Sequence, residues 1–188
     1  MSVICVISSD LLTPPEHAEL LAEAVGHRTY AKRIDRPGWQ IVAGQQFLGP
    51  ARYWYSLDGE AREEVHHRLV KRVADLIHTR VYAIQSNYLY YNEDDFLGLH
   101  HDQARCPLTV IALLRGDAEP LCIHKELVGV PAPKLRALVE PGGHQGGEQM
   151  SLQEGSLLIS GSVVPHHRTP HRGTEPIIIA TFCFAQTR

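Results

Sequence analysis

The sequence predicts an α+β fold, with a jelly-roll or small barrel in its second half and helices packed on one side. Three observations carry this. Two early segments show helical spacing behind recognisable start signals. From Val81 onward, short β-rich segments follow one another at even intervals between turn residues. No repeat, low-complexity stretch or linker interrupts the 188 residues, so one domain spanning 1–188 is expected.

Val3 to Ile7 reads as a short apolar strand. Thr13-Pro14-Pro15-Glu16 is a helix start, with Thr as N-cap, Pro at the first helical position and Glu completing a capping box. That helix is expected to run to about Val25 and to end at Gly26. Ile41 to Phe47 and Arg52 to Leu57 read as strands joined through Gly49-Pro50. Asp58-Gly59 opens a second helix, Glu60 to about His78, on which Val65, Leu69, Val73, Leu76 and Ile77 repeat at helical spacing. His66 and His67 ride on it and are expected on its solvated side. The later strands are Val81 to Tyr91, Leu108 to Leu114, Pro120 to Val128, Gln149 to Leu152, Leu157 to Ser160 and Ile177 to Phe184. Gly116-Asp117, Pro141-Gly142-Gly143 and Gly146-Gly147 mark turns. Lys134 to Val139 fits either a strand or a short helix.

Hydrophobic residues make up 44% and charged residues 21%, which suits a globular domain. The net charge of −3 argues against a broad nucleic-acid or anionic-membrane surface. No apolar run reaches the length of a membrane span. The N-terminus lacks a basic region and a small-residue cleavage site, so no signal peptide is expected. Cys5, Cys106, Cys122 and Cys183 are scattered without a C-x-x-C pair. Reduced thiols in a cytoplasmic protein are the expectation.

The chemistry gathers in Tyr88 to Asp102, YLYYNEDDFLGLHHD. An apolar, aromatic strand breaks at Asn92-Glu93-Asp94-Asp95 and leads to His100-His101-Asp102. His-x-Asp on an extended backbone places both side chains on one face, since side chains alternate with period two. By the same alternation His101 points away. A third ligand is available in His166-His167, between the strands Leu157–Ser160 and Ile177–Phe184. Two His and one Asp on one triangular face leave three octahedral positions open, the arrangement of non-haem Fe(II) oxygenases. Zinc prefers four closed ligands, or three with a water.

The order and spacing of these motifs resemble the Fe(II)/2-oxoglutarate-dependent dioxygenases, nearest in pattern to the prolyl-hydroxylase and AlkB-like branch. The matching residues are Tyr90 to Asp102, then Gly155-Ser156-Leu157-Leu158-Ile159, then His166-His167-Arg168-Thr169-Pro170 and Gly173-Thr174. They lie within about 81–184, a little over half of the chain. The resemblance implies a double-stranded β-helix (jelly-roll) core. It implies Fe(II) bound by His100, Asp102 and His166, the last chosen for its spacing to Pro170, with His167 as the rival. It implies 2-oxoglutarate as co-substrate, O2 as oxidant, and hydroxylation or related oxidation of a C–H bond. A carboxylate at Asp102 argues against the halogenase variant.

The chain departs from the family at one point. The usual Arg or Lys about ten residues past the distal His is replaced by Glu175 or Pro176, which cannot pair with the far carboxylate of 2-oxoglutarate. Arg172 is the first substitute, with Arg168, Arg115 and Lys125 as alternatives. Tyr90, Tyr91, Asn87 and Thr109 are further candidates to line the co-substrate site. A small molecule, such as an amino acid or secondary metabolite, is the expected substrate, and Glu93-Asp94-Asp95 could recognise an amine. The missing cation keeps open a metal-binding jelly-roll protein, or an oxygenase that does not use 2-oxoglutarate.

Overall fold

A computed structural model describes residues 4–42, 46–116, 121–139, 146–154 and 156–187. Val3, Asp117, Pro120, Pro141 to Gly143 and Gly155 lie outside the described residues. The described strands are β1 (Cys5–Ser8), β2 (Lys32–Arg36), β3 (Gln40–Val42), β4 (Gln46–Leu48), β5 (Ala51–Ser56), β6 (Val81–Tyr91) and β7 (Phe96–His100). After them come β8 (Leu108–Arg115), β9 (Leu121–Ile123), β10 (Glu148–Met150), β11 (Ser156–Ile159), β12 (His166–Arg168) and β13 (Ile177–Gln186). The helices are α1 (Pro14–His27), α2 (Glu60–Ile77) and α3 (Ala132–Val139). The strands pair antiparallel along one curled path, β1-β11-β8-β13-β6-β5-β7-β12-β9-β10, with β2 on β5 and the β3–β4 hairpin on β7. β5 turns the corner: Trp54 to Ser56 pair with β6, while Ala51 and Arg52 pair with β7. This is a jelly-roll core.

The capping box of α1 forms as expected, with the Glu16 amide donating to Thr13 Oγ1 and the Thr13 amide to Glu16 Oε2. Gly26 does not end the helix. The chain continues to His27 and tightens into a 3₁₀ turn, Arg28–Tyr30, closed by Ala31 N–H donating to the Arg28 carbonyl. α2 starts at Gly59, which offers no side chain. Its first free amides, on Ala61 and Arg62, donate instead to the Glu23 carboxylate of α1 at 2.8 and 3.0 Å. A Cβ on Gly59 would collide with that carboxylate.

Strand alternation sorts the sheet's two faces. Tyr88, Tyr90, Val110, Ile178, Ala180, Phe182 and Phe184 pack outward against Leu20, Ala24, Val65, Leu69 and Val73 of α1 and α2. Tyr91, Ile111, Leu121, Ile177 and Ile179 face the interior of the roll. A third cluster joins Phe47 and Leu99 to Leu135 of α3.

Several expectations need correction. His66 is buried, not solvated: it donates to the Cys183 carbonyl at 2.9 Å and packs on Phe182 and Phe184. Its position beside Val65 puts it on the stripe that faces β13. Ile41 to Phe47 is two short paired strands rather than one. β2 and β12 have no strand signal in the sequence, because KRIDR and HHR lack an apolar side. Among the described residues of Pro120 to Val128, the strand is the three-residue β9, followed by a 3₁₀ turn at Lys125–Leu127. Lys134 to Val139 is helical. Cys106 and Cys183 form a disulfide, because β8 and β13 pair Thr109 with Cys183 and bring Cys106 alongside. Cys5 and Cys122 take no part in that bond. No described helix is long and apolar enough to cross a membrane.

Candidate metal centre

His166 lies directly opposite His100 in the β12–β7 ladder. Their rings are 4.1 Å apart, and each Nε2 lies 3.7 Å from Asp102 Oδ1. His100 Nδ1–H donates to the Gly98 carbonyl at 3.0 Å, and His166 Nδ1–H to the Val164 carbonyl at 2.9 Å. A carbonyl only accepts, so both rings carry their proton on Nδ1 and present bare Nε2 lone pairs to the Asp102 carboxylate. Three ligand atoms within 4.8 Å of one another can hold a metal ion.

The ligand row depends on a bulge. Arg168 pairs with Leu97 while His166 pairs with His100, so β7 has one residue more than β12 between those partners. That extra residue lets Leu97 and His100, three apart, both face the interior. Gly98 sits in the bulge, where a Cβ would meet the Pro50 carbonyl. Gly161 is required on the other side: its carbonyl accepts from the Asp102 amide at 2.8 Å, and a Cβ there would overlap the Asp102 carboxylate.

Thr109 Oγ1–H donates to Asp102 Oδ2 at 2.5 Å. Burial by itself would raise the Asp102 pKa. The two imidazoles facing it and the hydrogen bond from the Thr109 hydroxyl outweigh it and hold the carboxyl well below its usual range. Burial, aided by His100, lowers His166 to about 4, so its ring stays neutral at physiological pH. A neutral His166 beside an ionised Asp102 is the protonation state a divalent cation needs.

The triad lines a cavity of about 630 Å³ inside the roll. Tyr91, Leu89, Asn87 and Gln85 face it from β6, at alternate positions. Tyr90 does not, and its candidacy for the co-substrate fails: it lies on the other face of β6, where its hydroxyl donates to the Ala24 carbonyl of α1 at 2.9 Å. Asn87 accepts from Thr181 Oγ1 at 2.6 Å across the β6–β13 ladder. His167 points away from the triad, with Nδ1 2.9 Å from His124 Nε2. His101, although adjacent in sequence, is buried at the cavity wall and not at the surface.

The cations sort as clearly. Arg172 is exposed and paired with Asp94 at 2.8 Å, outside the cavity. Lys125 pairs with Glu148 at 2.6 Å, and Arg115 borders a separate groove beside α1. Arg168 is the alternative that faces the interior: it is 2% exposed, lines the same cavity as the triad and lies 5.3 Å over the Tyr91 ring. Arg36 of β2, Tyr53 of β5, Gln85 of β6 and Arg105 are among the cavity residues that no sequence motif marks. Arg36 and Tyr53 precede the motif region. Counting alternate positions back from Tyr91 would have found Gln85 and excluded Tyr90, but nothing local marks Arg36.

No sequence-family model matches the chain, and no curated protein matches it by sequence. Its fold matches solved structures. One is the non-heme alpha ketoglutarate dependent epimerase SnoN from nogalamycin biosynthesis, at TM-score 0.67 and 18% identity over 96% of this chain and 75% of that one. Another is HygX from Streptomyces hygroscopicus with nickel and 2-oxoglutarate bound, at TM-score 0.64 and 13% identity over 98% of this chain and 83% of that one. A Pseudomonas putida prolyl-4-hydroxylase covers 100% of this chain and 95% of its own, at TM-score 0.60 and 11% identity. At these identities the likeness is one of fold.

Proposed function

We propose that the chain is an Fe(II)- and 2-oxoglutarate-dependent oxygenase that oxidises a C–H bond of a small molecule. The observation that carries the reading is the buried His100, Asp102 and His166 triad, with Nε2 lone pairs and an ionised carboxylate converging, in one cavity with the buried cation Arg168. In that reading His100, Asp102 and His166 bind the iron, and His167 does not. Bound iron, 2-oxoglutarate and O2 would supply the oxidation, with succinate and carbon dioxide as co-products.

The chain's residues do the positioning. The Gly98 and Val164 carbonyls fix the two imidazole tautomers, and Thr109 steadies the Asp102 carboxylate. Arg168 stands two residues beyond His166 on β12, so both side chains share the cavity face, about 6.6 Å apart along the strand. That interval suits a short dicarboxylate with one end at the metal and the other on the guanidinium. Arg168 thus takes the role that Glu175 and Pro176 cannot, and it favours the reading with 2-oxoglutarate over the one without. Apolar Leu89, Leu97, Ile111, Leu121 and Ile179 around it keep water out and strengthen the ion pair. The cavity's size suits a small-molecule substrate.

The test is an anaerobic titration of Fe(II)-loaded protein with 2-oxoglutarate, watching for the weak visible charge-transfer band of the chelate. Metal-bound protein that shows neither the band nor succinate release overturns the proposal. His166→Ala is expected to lose iron and His167→Ala to keep it; the reverse reassigns the ligand.

A further inference from the structure

The cavity's charge is opposite in sign to the chain's. The protein carries a net −3, yet the cavity's described lining has three arginines, Arg36, Arg105 and Arg168, and one acid, Asp102. A divalent metal, Asp102, Arg168 and a dianionic 2-oxoglutarate neutralise one another. Arg36 and Arg105 are left over.

Arg36 is the better placed of the two. Arg105 is exposed at the mouth, held by Gln103 Oε1 at 2.7 Å and Gln85 Oε1 at 2.5 Å. Arg36 is half-buried, and its Nε–H donates to the Gly49 carbonyl at 2.6 Å, which orients the guanidinium. Among the described residues it pairs with no carboxylate. Register places it in one lateral row with Arg168: Arg36 pairs with Ala51, Ala51 with Leu97, and Leu97 with Arg168. Residues directly opposite across a ladder share a face, so the two arginines present to the same interior from strands three apart. Tyr53, on the neighbouring β5, lines the cavity beside Arg36.

The acidic run is not in this cavity. Asp94 pairs with Arg172 outside it, and Asp95 is buried, accepting from the Asn92 amide. That removes the basis for recognising an amine there.

We propose that the substrate carries a carboxylate, and that Arg36, assisted by Tyr53, binds it while Arg168 binds the co-substrate. The inference rests on the oxygenase reading. One guanidinium beside one phenol matches a singly charged, planar group.

The experiment uses Ni(II)-loaded full-length protein saturated with 2-oxoglutarate, titrated calorimetrically with phenylacetate, its neutral analogue phenylacetamide, and the cation phenethylamine. Saturation keeps phenylacetate off Arg168. Wild type is expected to bind phenylacetate about tenfold or more tightly than phenylacetamide. Arg36→Gln is expected to abolish that preference while still binding 2-oxoglutarate, and Arg36→Lys to keep part of it. The proposal is overturned by equal binding of acid and amide, by preference for the amine, by a preference that survives in Arg36→Gln, or by loss of 2-oxoglutarate binding in Arg36→Gln. If wild type binds no 2-oxoglutarate, the oxygenase reading fails separately. The same titration on the metal-loaded protein alone then decides the Arg36 site by the same criterion.

Discussion

Replacing Arg168 with Gln tests the co-substrate assignment most directly. The side chain is 2% exposed and sits over Tyr91 in a wall of Leu97 and Leu121. Water does not screen a contact there, so the full range for hydrogen bonds to charged groups applies, about 1.5–3 kcal/mol. That is roughly a 10- to 150-fold loss of 2-oxoglutarate affinity. Gln keeps a donor but removes the charge and the fork. Arg168→Lys keeps the charge without the bidentate geometry and should fall between. The assay is anaerobic titration of the Fe(II)-protein, read by the charge-transfer band, with iron content measured on the same samples. His100, Asp102 and His166 are untouched, so iron is expected to stay bound. If Arg168→Gln binds both iron and 2-oxoglutarate as wild type does, the assignment of Arg168 is wrong.

Thr109→Val removes the hydroxyl that donates to Asp102 Oδ2; the carboxylate loses an orienting partner, and metal affinity should drop about 10- to 100-fold by equilibrium dialysis. His66, lowered to about 4 chiefly by burial, should make the metal-free protein pH-sensitive. The unfolded chain binds a proton that the folded one refuses between about pH 6.5 and 4, so stability falls as pH drops through that window, by up to about 3 kcal/mol from this group. Thermal melts of His66→Leu should show a shallower decline over that range, and an unchanged slope counts against the buried, neutral ring. Cys106 and Cys183 close a loop of sequence separation 77. Replacing both with Ser should cost about 2–5 kcal/mol in a denaturant titration, and no difference from wild type would show that the bond is not formed.

Local sequence determines structure where one segment suffices. Thr13 to Glu16 specifies a helix start from four consecutive residues, and Val65, Leu69 and Val73 specify the buried stripe of α2 from its own period. His100 and Asp102 share a face because alternation is a property of any extended chain. Elsewhere another segment decides. Gly26 could have ended α1, but a 3₁₀ turn after His27 ended it instead. The period of α2 says that Val65 is inward; only β13, with Phe182 and Phe184, says that His66 beside it is inward too.

His-x-Asp and the His166-His167 pair were visible in the sequence, together with the absence of the usual cation after Pro170. Choosing between His166 and His167 takes the β12–β7 register, which sets His166 against His100 and turns His167 toward His124. Sorting Arg168 from Arg172 likewise takes a partner strand: Arg168 is held in the wall opposite Leu97, and Arg172 leaves it to meet Asp94. Arg36 reaches the same cavity through β5 and β7, from a segment whose sequence reads as surface. Neighbours in the chain determine which face a residue takes. Strand pairing between distant segments determines what that face meets, because a ladder aligns residues irrespective of the length of chain between them.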